Sequence, residues 1–508
     1  MKISNSMQRR IGVILQYLQM GLSTIISLIY TPIMLKILGQ NEYGIYNIAS
    51  STIAYLSLLS LGFGASYVRY YSIYKQKSDD NKVKELNGLY ILVFSIIGVI
   101  ALACGLFLTQ HVHWFFNNTY TVSEILIAKK LMFLLTFNLA VSFPASVFVS
   151  YITSQEKFIF QKIINMVSTI CSPIANVVLL YTGYGSVGMV LSSTVISITV
   201  ACINIYYCFF KLGMKVNLKR LDFWLLRDIF VFSIFIAINQ LVDQLNFQTD
   251  KIILGKVVGG ASVAIYAVGS NLNNMFVSIT AAVSNVFAPK INMIISRHDK
   301  NMDEEINSIF TKVGRIQWYL GILIVSGFVF FGKYFTFIWA GEGYENAYYV
   351  ALLLMIPMAF VSSQSIGIEV QRAKNKHKAR SIVYLVMAIL NVIMSIYLAS
   401  VWGEIGSAFG TTISIVLCPI IFMNYYYQKH IGIDIKNYWK NIISTIPSFI
   451  FPFIFGFIAE RYIRITSTFI FLTLVLCYSV LYIISIYRYS FNEYEKNMSR
   501  NVIHKFKK

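Results

Sequence analysis

Charge is scarce in this 508-residue chain. Asp, Glu, Lys and Arg together make up 13%, about half of the ~25% found in soluble domains. Hydrophobic residues reach 57% and the mean hydropathy is +0.64. So much apolar surface has no aqueous home, which excludes a soluble enzyme, a disordered chain and a secreted disulfide scaffold. The chain is expected to be an integral membrane protein. Acidic residues are the scarcest charges, 22 against 42 basic ones, for a net charge of +20. In a soluble protein that excess would suggest nucleic acid. Here no basic stretch carries interleaved aromatics on a soluble module, so no nucleic-acid partner is expected. The excess instead fits cytoplasmic loops, which collect Lys and Arg. Cysteine is also sparse. Cys104, Cys171, Cys202, Cys208, Cys418 and Cys477 all fall in apolar segments with no C-x-x-C or Cys/His spacing. Neither a disulfide framework nor a metal site is expected. The eight prolines, Pro32, Pro144, Pro173, Pro289, Pro357, Pro419, Pro447 and Pro452, all lie in apolar segments. There they remove helix hydrogen bonds and bend the rod.

What is abundant is long apolar runs. A membrane-crossing helix needs ~20 mostly apolar residues. Fourteen such segments are predicted: 11–35, 43–71, 87–109, 125–152, 159–181, 185–210, 228–254, 261–289, 313–338, 346–369, 380–401, 404–427, 441–460 and 467–487. The first is too long for a signal-peptide core and has no small-residue cleavage site, so it reads as a crossing helix with its N-terminus inside. With that start, the inner segments hold 34 of the 42 Lys and Arg, a bias that orients the chain with both termini inside. Outer connections are short, the longest running from Gln110 to Glu124. Its Asn117-Asn118-Thr119 fits a glycosylation sequon, but the triplet recurs by chance and carries no weight.

The second half echoes the first. Leu38-Gly39 followed by Gly44-Ile45-Tyr46 recurs as Leu254-Gly255 followed by Ala264-Ile265-Tyr266, with Ser50 matched by Ser270. Gly188 with Thr194 recurs as Gly406 with Thr412, and Pro144 pairs with Pro357. Six segments separate the copies. An even number keeps orientation, so two parallel six-helix repeats are expected, related by an axis along the membrane normal. The domains are then 1–210, 211–428, and two extra helices with a basic tail in 429–508. The fold class is an all-α membrane protein of two lobes around a central cavity.

Polar residues recur along single faces of three segments. The seventh carries Asn239, Asp243, Asn246 and Asp250 at spacings of 4, 3 and 4, with Gln240, Gln244 and Gln248 on the adjacent row. The eighth carries Asn271, Asn274, Ser278 and Asn285, and the first carries Gln16, Gln19, Ser23 and Tyr30. Such spacing puts each set on one helical face. A charge at the bilayer centre costs ~2.5–3.5 kcal/mol on insertion scales, so these faces look into the protein or a watery cavity. Hydrogen bonding that merely holds helices together is the alternative. Asp243, in mid-helix, is the candidate contact for a coupling ion or cargo. Asp250 and Lys251 lie near the outer end, where interfacial anchoring is expected. Glu369 and Arg372 have the spacing of an i, i+3 ion pair. For Arg69 and Lys36, snorkelling to the headgroups competes with a place at a cavity mouth. Lys290 is equally well a plain inside charge.

Four motifs point to a family. They are Ile37-Leu38-Gly39-Gln40-Asn41-Glu42-Tyr43-Gly44-Ile45-Tyr46, Leu61-Gly62-Phe63-Gly64 before Val68-Arg69-Tyr70, Asp250-Lys251-Ile252-Ile253-Leu254-Gly255, and Gln371-Arg372-Ala373-Lys374-Asn375-Lys376. Together they resemble the Wzx-type oligosaccharide-lipid flippases of the multidrug, oligosaccharidyl-lipid and polysaccharide exporter superfamily. The resemblance implies a MATE-like fold in the bacterial cytoplasmic membrane. It also implies a flippase that takes polyprenyl-diphosphate-linked oligosaccharide from the inner to the outer leaflet for capsule, O-antigen or a related polymer. Its partners would be that lipid-linked oligosaccharide, membrane lipids and other polysaccharide-assembly membrane proteins. The implied glycan needs hydrogen-bonding groups, which Gln16, Gln19, Asn239, Asp243, Asn246, Asn271, Asn274 and Asn285 supply. The implied diphosphate needs cations, and Lys36, Arg69, Lys251, Lys290 and Arg372 are available. No cofactor is expected beyond a coupling proton or sodium ion at Asp243. A cation-coupled drug or metabolite antiporter of the same superfamily is the alternative. An enzyme is not expected: His111 and His113 stand alone in the longest outer loop, without a nucleophile, base or metal spacing beside them. A purely structural scaffold would need neither polar stripes nor a repeat.

Overall fold

Long apolar segments satisfy their backbone groups internally only as helices or closed barrels, and this chain takes the helical solution. The computed structural model describes residues 5–116, 120–219, 223–297, 299, 301–374, 376 and 378–506. Among them every regular element is helical. The sequon Asn117-Asn118-Thr119 and Asn375 of the fourth motif lie outside the described residues.

The chain forms two compact units, Met1–Ala267 with Val392–Ser407, and Val268–Asn391 with Ala408–Lys508. The first unit holds α1 (Asn5–Ala54), α2 (Phe63–Gln76), α3 (Asp80–Gln110), α4 (Val122–Ser154), α5 (Phe158–Tyr181), α6 (Gly185–Tyr206) and α7 (Phe223–Val257). Next come α8 (Gly260–Arg297), α9 (Met302–Ala340), α10 (Asn346–Ser363), α11 (Ile366–Ala373) and α12 (Lys378–Ile415). The chain ends with α13 (Met423–Tyr426), α14 (Ile435–Ile443), α15 (Ile450–Tyr462), α16 (Thr468–Tyr489) and α17 (Glu493–Phe506). The start of α8, as far as Ala267, and residues 392–407 of α12 belong to the first unit, and the rest from α8 onward to the second.

Among the described residues, eleven helices are long and apolar enough to cross a membrane. Two of them, Ile14–Gln76 and Ala379–Ile431, span 63 and 53 residues, far beyond one ~30 Å hydrocarbon core at 1.5 Å per residue. Within α1 and α12, which these spans include, the backbone is non-helical at Gly39 (φ 68°, ψ 177°) and at Gly403 (φ 58°, ψ −136°). A side chain at such a φ would clash with its own backbone, so glycine is what lets the rod break there. α7 is not among the eleven.

Several expected rods are broken. Segment 43–71 continues α1 to Ala54, passes through a 3₁₀ turn at Tyr55–Ser60, and reverses at Leu61 (φ 48°) and Gly62 (φ 69°) before α2. Segment 346–369 divides into α10 and α11 at Gln364 and Ser365. Segment 441–460 begins in α14, turns at Ser444 and Thr445, and resumes as a 3₁₀ turn with Pro447 before α15. Hydropathy reports only that a stretch is apolar, and so misses local breaks supplied by glycine, proline and serine.

Thr194 and Thr412, matched in the sequence repeat, each bond to a neighbouring helix of their own unit, one as acceptor and one as donor. The Thr194 hydroxyl of α6 accepts from the Asn138 amide of α4 at 3.1 Å. The Thr412 hydroxyl of α12 donates to the Leu353 carbonyl of α10 at 2.6 Å. In the second unit, a core of Phe310, Trp318, Tyr438, Tyr478 and Tyr482 packs α9 against α14 and α16. In the first, Tyr67, Tyr71, Tyr90, Phe94 and Tyr151 pack α2, α3 and α4.

Candidate functional site

The polar rows of α7 have two destinations. One row docks on the first helices of the same unit. The Ser233 hydroxyl donates to Ser66 at 3.3 Å, Gln244 donates to Ser57 at 3.5 Å, and Ser51 donates to Gln248 at 2.9 Å. Tyr55 pairs its hydroxyl with Thr249 and donates to the Gln244 carbonyl at 3.3 Å. Gly62 meets Ile236 so closely that an added Cβ would lie 2.4 Å from its methyl. This row is therefore interhelical bonding, as the alternative for polar stripes allowed.

The other row faces outward from the unit. Asn239 and Asp243 are exposed and Asn246 is half-buried. Beside it, the side-chain oxygens of Gln240, Gln244 and Asn246 are buried and have no hydrogen-bond partner among the described residues. Three orphaned amide acceptors within two turns are an exception to the rule that buried polar atoms are paired. They leave mid-α7 with amide acceptors that the described residues do not use.

Asp250 departs from the expectation. It is 1% exposed, not an interfacial anchor. Its carboxylate accepts from the Tyr266 hydroxyl at 2.6 Å and from the Ser395 hydroxyl at 2.6 Å. Spacing does put Asp250 below Asp243 on one face, but the start of α8 and residue 395 of α12 cover only the last turns of α7. Tyr266 lies 16 residues away and Ser395 145 residues away, so no local pattern could have found them. Lys251 is half-buried beside it.

The family-like motifs turn out to organise packing. Glu42 reaches the N-terminus of α6, where its carboxylate accepts from the Ser186 N–H at 2.6 Å. An anionic group suits the positive end of that helix. A Cβ on Gly44 would lie 2.0 Å from the Gly260 carbonyl oxygen, and one on Gly255 2.6 Å from Ile48. Lys256 donates to the His113 and Phe116 carbonyls at 2.9 and 3.4 Å, holding the end of the 3₁₀ turn Val112–Trp114, which contains His113.

The remaining candidates are dispersed. In the first unit, Gln16, Lys36 and Arg69 are exposed and Gln19 is half-buried. Tyr30 of the same stripe is within 3.3 Å of the Asn176 amide on α5. In the second unit, Asn271 is half-buried, while Asn274, Asn285 and Lys290 are exposed. Arg372 is exposed and donates to Glu369 at 2.9 Å, the i, i+3 pair the spacing suggested. All six cysteines are free thiols. Among the described residues, no group of three His, Cys, Asp or Glu could hold a metal ion.

The sequence pattern described as polysaccharide biosynthesis protein matches residues 11–295. The chain is 22% identical over 461 residues to the uncharacterized membrane protein EpsK of Bacillus subtilis (strain 168), covering 85% of each. It is 20% identical over 414 residues to a Shigella flexneri protein named "Putative O-antigen transporter", covering 79% of this chain and 93% of that one. Its fold is similar to that of the lipid II flippase MurJ in an inward closed conformation, with a TM-score of 0.70 at 16% identity, over 94% of this chain and 97% of that one. It is also similar to an inward-facing MATE-family multidrug transporter of the MOP superfamily, with a TM-score of 0.62 at 12% identity, over 82% and 96%. The fold is thus MurJ- and MATE-like.

Proposed function

The chain belongs to the polysaccharide biosynthesis protein family, and on that premise we propose that it is a flippase for lipid-linked oligosaccharide. It moves a polyprenyl-diphosphate-linked glycan from the inner to the outer leaflet of a bacterial cytoplasmic membrane, for a surface polysaccharide. The observation that carries this is mid-α7, where Asn239 and Asp243 lie beside the amide oxygens of Gln240, Gln244 and Asn246, which have no partner among the described residues. Sugar hydroxyls are the donors such acceptors need. An apolar cargo offers no such donors.

We read each of the two overlong helices as a pair broken at Gly39 and Gly403 and add α7, which makes fourteen proposed crossings. The even number and the basic loops put both termini inside. Translocation proceeds by alternating access between two six-helix lobes, with the last two membrane helices outside them. Lys36, Arg69, Lys251, Lys290 and Arg372 are the cations for the diphosphate, with Arg372 the weakest choice because Glu369 already occupies it. A proton or sodium ion couples through Asp243, and other membrane proteins of polymer assembly receive the product. If Asp243→Asn and Asp243→Ala both flip cargo at full rate, that coupling role is wrong.

The test is the leaflet position of the lipid-linked glycan in cells depleted of this protein. Spheroplasts are treated with an impermeant glycan-modifying reagent, and modified lipid is counted against total. Flipping predicts that depletion leaves the glycan out of reach. Unchanged accessibility with unchanged surface polymer rejects the flippase, and altered drug susceptibility in its place supports the antiporter.

A further inference from the structure

Two oppositely charged side chains are buried together at one place in the second unit. Glu495, in the first turn of α17, has a side chain only 2% exposed. Arg315 of α9 holds it with two bonds, Nε to Oε1 at 2.7 Å and Nη2 to Oε2 at 3.0 Å. The same guanidinium donates to the Asn441 carbonyl of α14 at 3.0 Å and to the Ser490 carbonyl at 2.7 Å. One side chain therefore fixes α14, α17 and the turn after α16 onto α9. Arg315 and Glu495 neutralise each other, so neither is left to attract a ligand.

What the pair determines is its neighbourhood. Lys440 precedes Asn441, Arg488 lies two residues before Ser490, Lys496 follows Glu495, and Lys312 sits one turn before Arg315. Lys440 and Arg488 are exposed, and Lys312 and Lys496 are half-buried. Lys312 lies 4.9 Å from the centre of the Tyr494 ring and Arg488 5.7 Å from that of Tyr489. Both tyrosines are exposed. Glu493 is the exposed carboxylate among these groups, so cations dominate. α16 is apolar enough to cross a membrane and only Ser490–Asn492 separates it from α17, so the cluster stands at a membrane surface. Exposed tyrosine beside Lys and Arg at the end of a crossing helix is the composition of the headgroup layer.

We infer that this collar around the Arg315–Glu495 pair docks the phosphate headgroups of anionic phospholipids, on the membrane face that carries the basic loops. Four separate cations on four helices match several singly charged phosphodiesters rather than one diphosphate. Each cation near an anionic surface contributes about fivefold in affinity, and salt weakens it.

The test uses the full-length protein in mixed micelles. Its thermal midpoint is measured with added phosphatidylglycerol, phosphatidylcholine or a polyprenyl diphosphate. Phosphatidylglycerol should raise the midpoint, phosphatidylcholine should not, and added salt should shrink the shift. The triple variant Lys440→Gln, Arg488→Gln, Lys496→Gln should lose most of it. The single variants, which leave the buried pair intact, should each need about fivefold more phosphatidylglycerol, and they decide the matter if the triple variant is not stable. An unchanged phosphatidylglycerol shift in the variants overturns the inference. So does a shift given by polyprenyl diphosphate alone, which would assign the collar to cargo.

Discussion

At the scale of single residues, the polar groups of the membrane segments divide into those already satisfied and those left open. Asp250 is satisfied, because two hydroxyls donate to it. Asp250→Ala should strand both hydroxyls and cost about 1–3 kcal/mol for each. Asp250→Asn keeps an acceptor and should cost less. The ranking is read from apparent melting temperatures of the purified variants, and equal melting would contradict the buried bonds. Gly44 is set by space: its missing Cβ is where the Gly260 carbonyl sits. Gly44→Ala must push the start of α8 away, at about 1–3 kcal/mol for overpacking. The same melting assay checks it, and an unshifted midpoint would mean that the two backbones do not meet. Gly44 and Asp250 both stood out in the sequence as parts of motifs, but their causes did not, since Gly260 and Ser395 are distant in the chain.

Elements show where charge is used to join helices. Glu42 caps α6 from 144 residues away. Glu42→Ala should loosen the first turn of α6 by about 1 kcal/mol, visible as faster amide exchange at Ser186 to Gly188 with other helices unchanged. Exchange that is slow in both proteins would show that the cap is dispensable. Glu495→Ala leaves Arg315 buried and unpaired, which costs about 3–5 kcal/mol. Its expected signature is rapid exchange along α17, and protection equal to the natural chain would remove Arg315 as the anchor. The helices themselves were largely legible, since hydropathy over ~20 residues marks a crossing. Their internal breaks were not, as the divisions of segments 43–71 and 346–369 show. Such breaks depend on single residues whose conformations hydropathy does not register.

For the whole molecule, the proposed count of fourteen crossings has a direct check. In a cysteine-free background, Gln40→Cys, Gly183→Cys and Trp402→Cys should react with an impermeant thiol reagent from outside intact cells. Lys77→Cys, Gly213→Cys and Gly432→Cys should react only after the membrane is opened. Reaction of both sets from one side would break the alternation on which the orientation rests. The sequence by itself determined that the protein lives in a membrane, that it is helical, and which family motifs it carries. Each of these follows from local composition and spacing, because lipid forces the backbone to bond within its own segment. Only the tertiary structure decided which polar residues of α7 are spent on neighbours and which stay open. Gln248 is taken by Ser51, and Asp250 by Tyr266 and Ser395, while the oxygens of Gln240 and Asn246 have no partner among the described residues. Helical spacing assigns a residue to a face. Whether that face meets hydroxyls depends on helices far away in the chain.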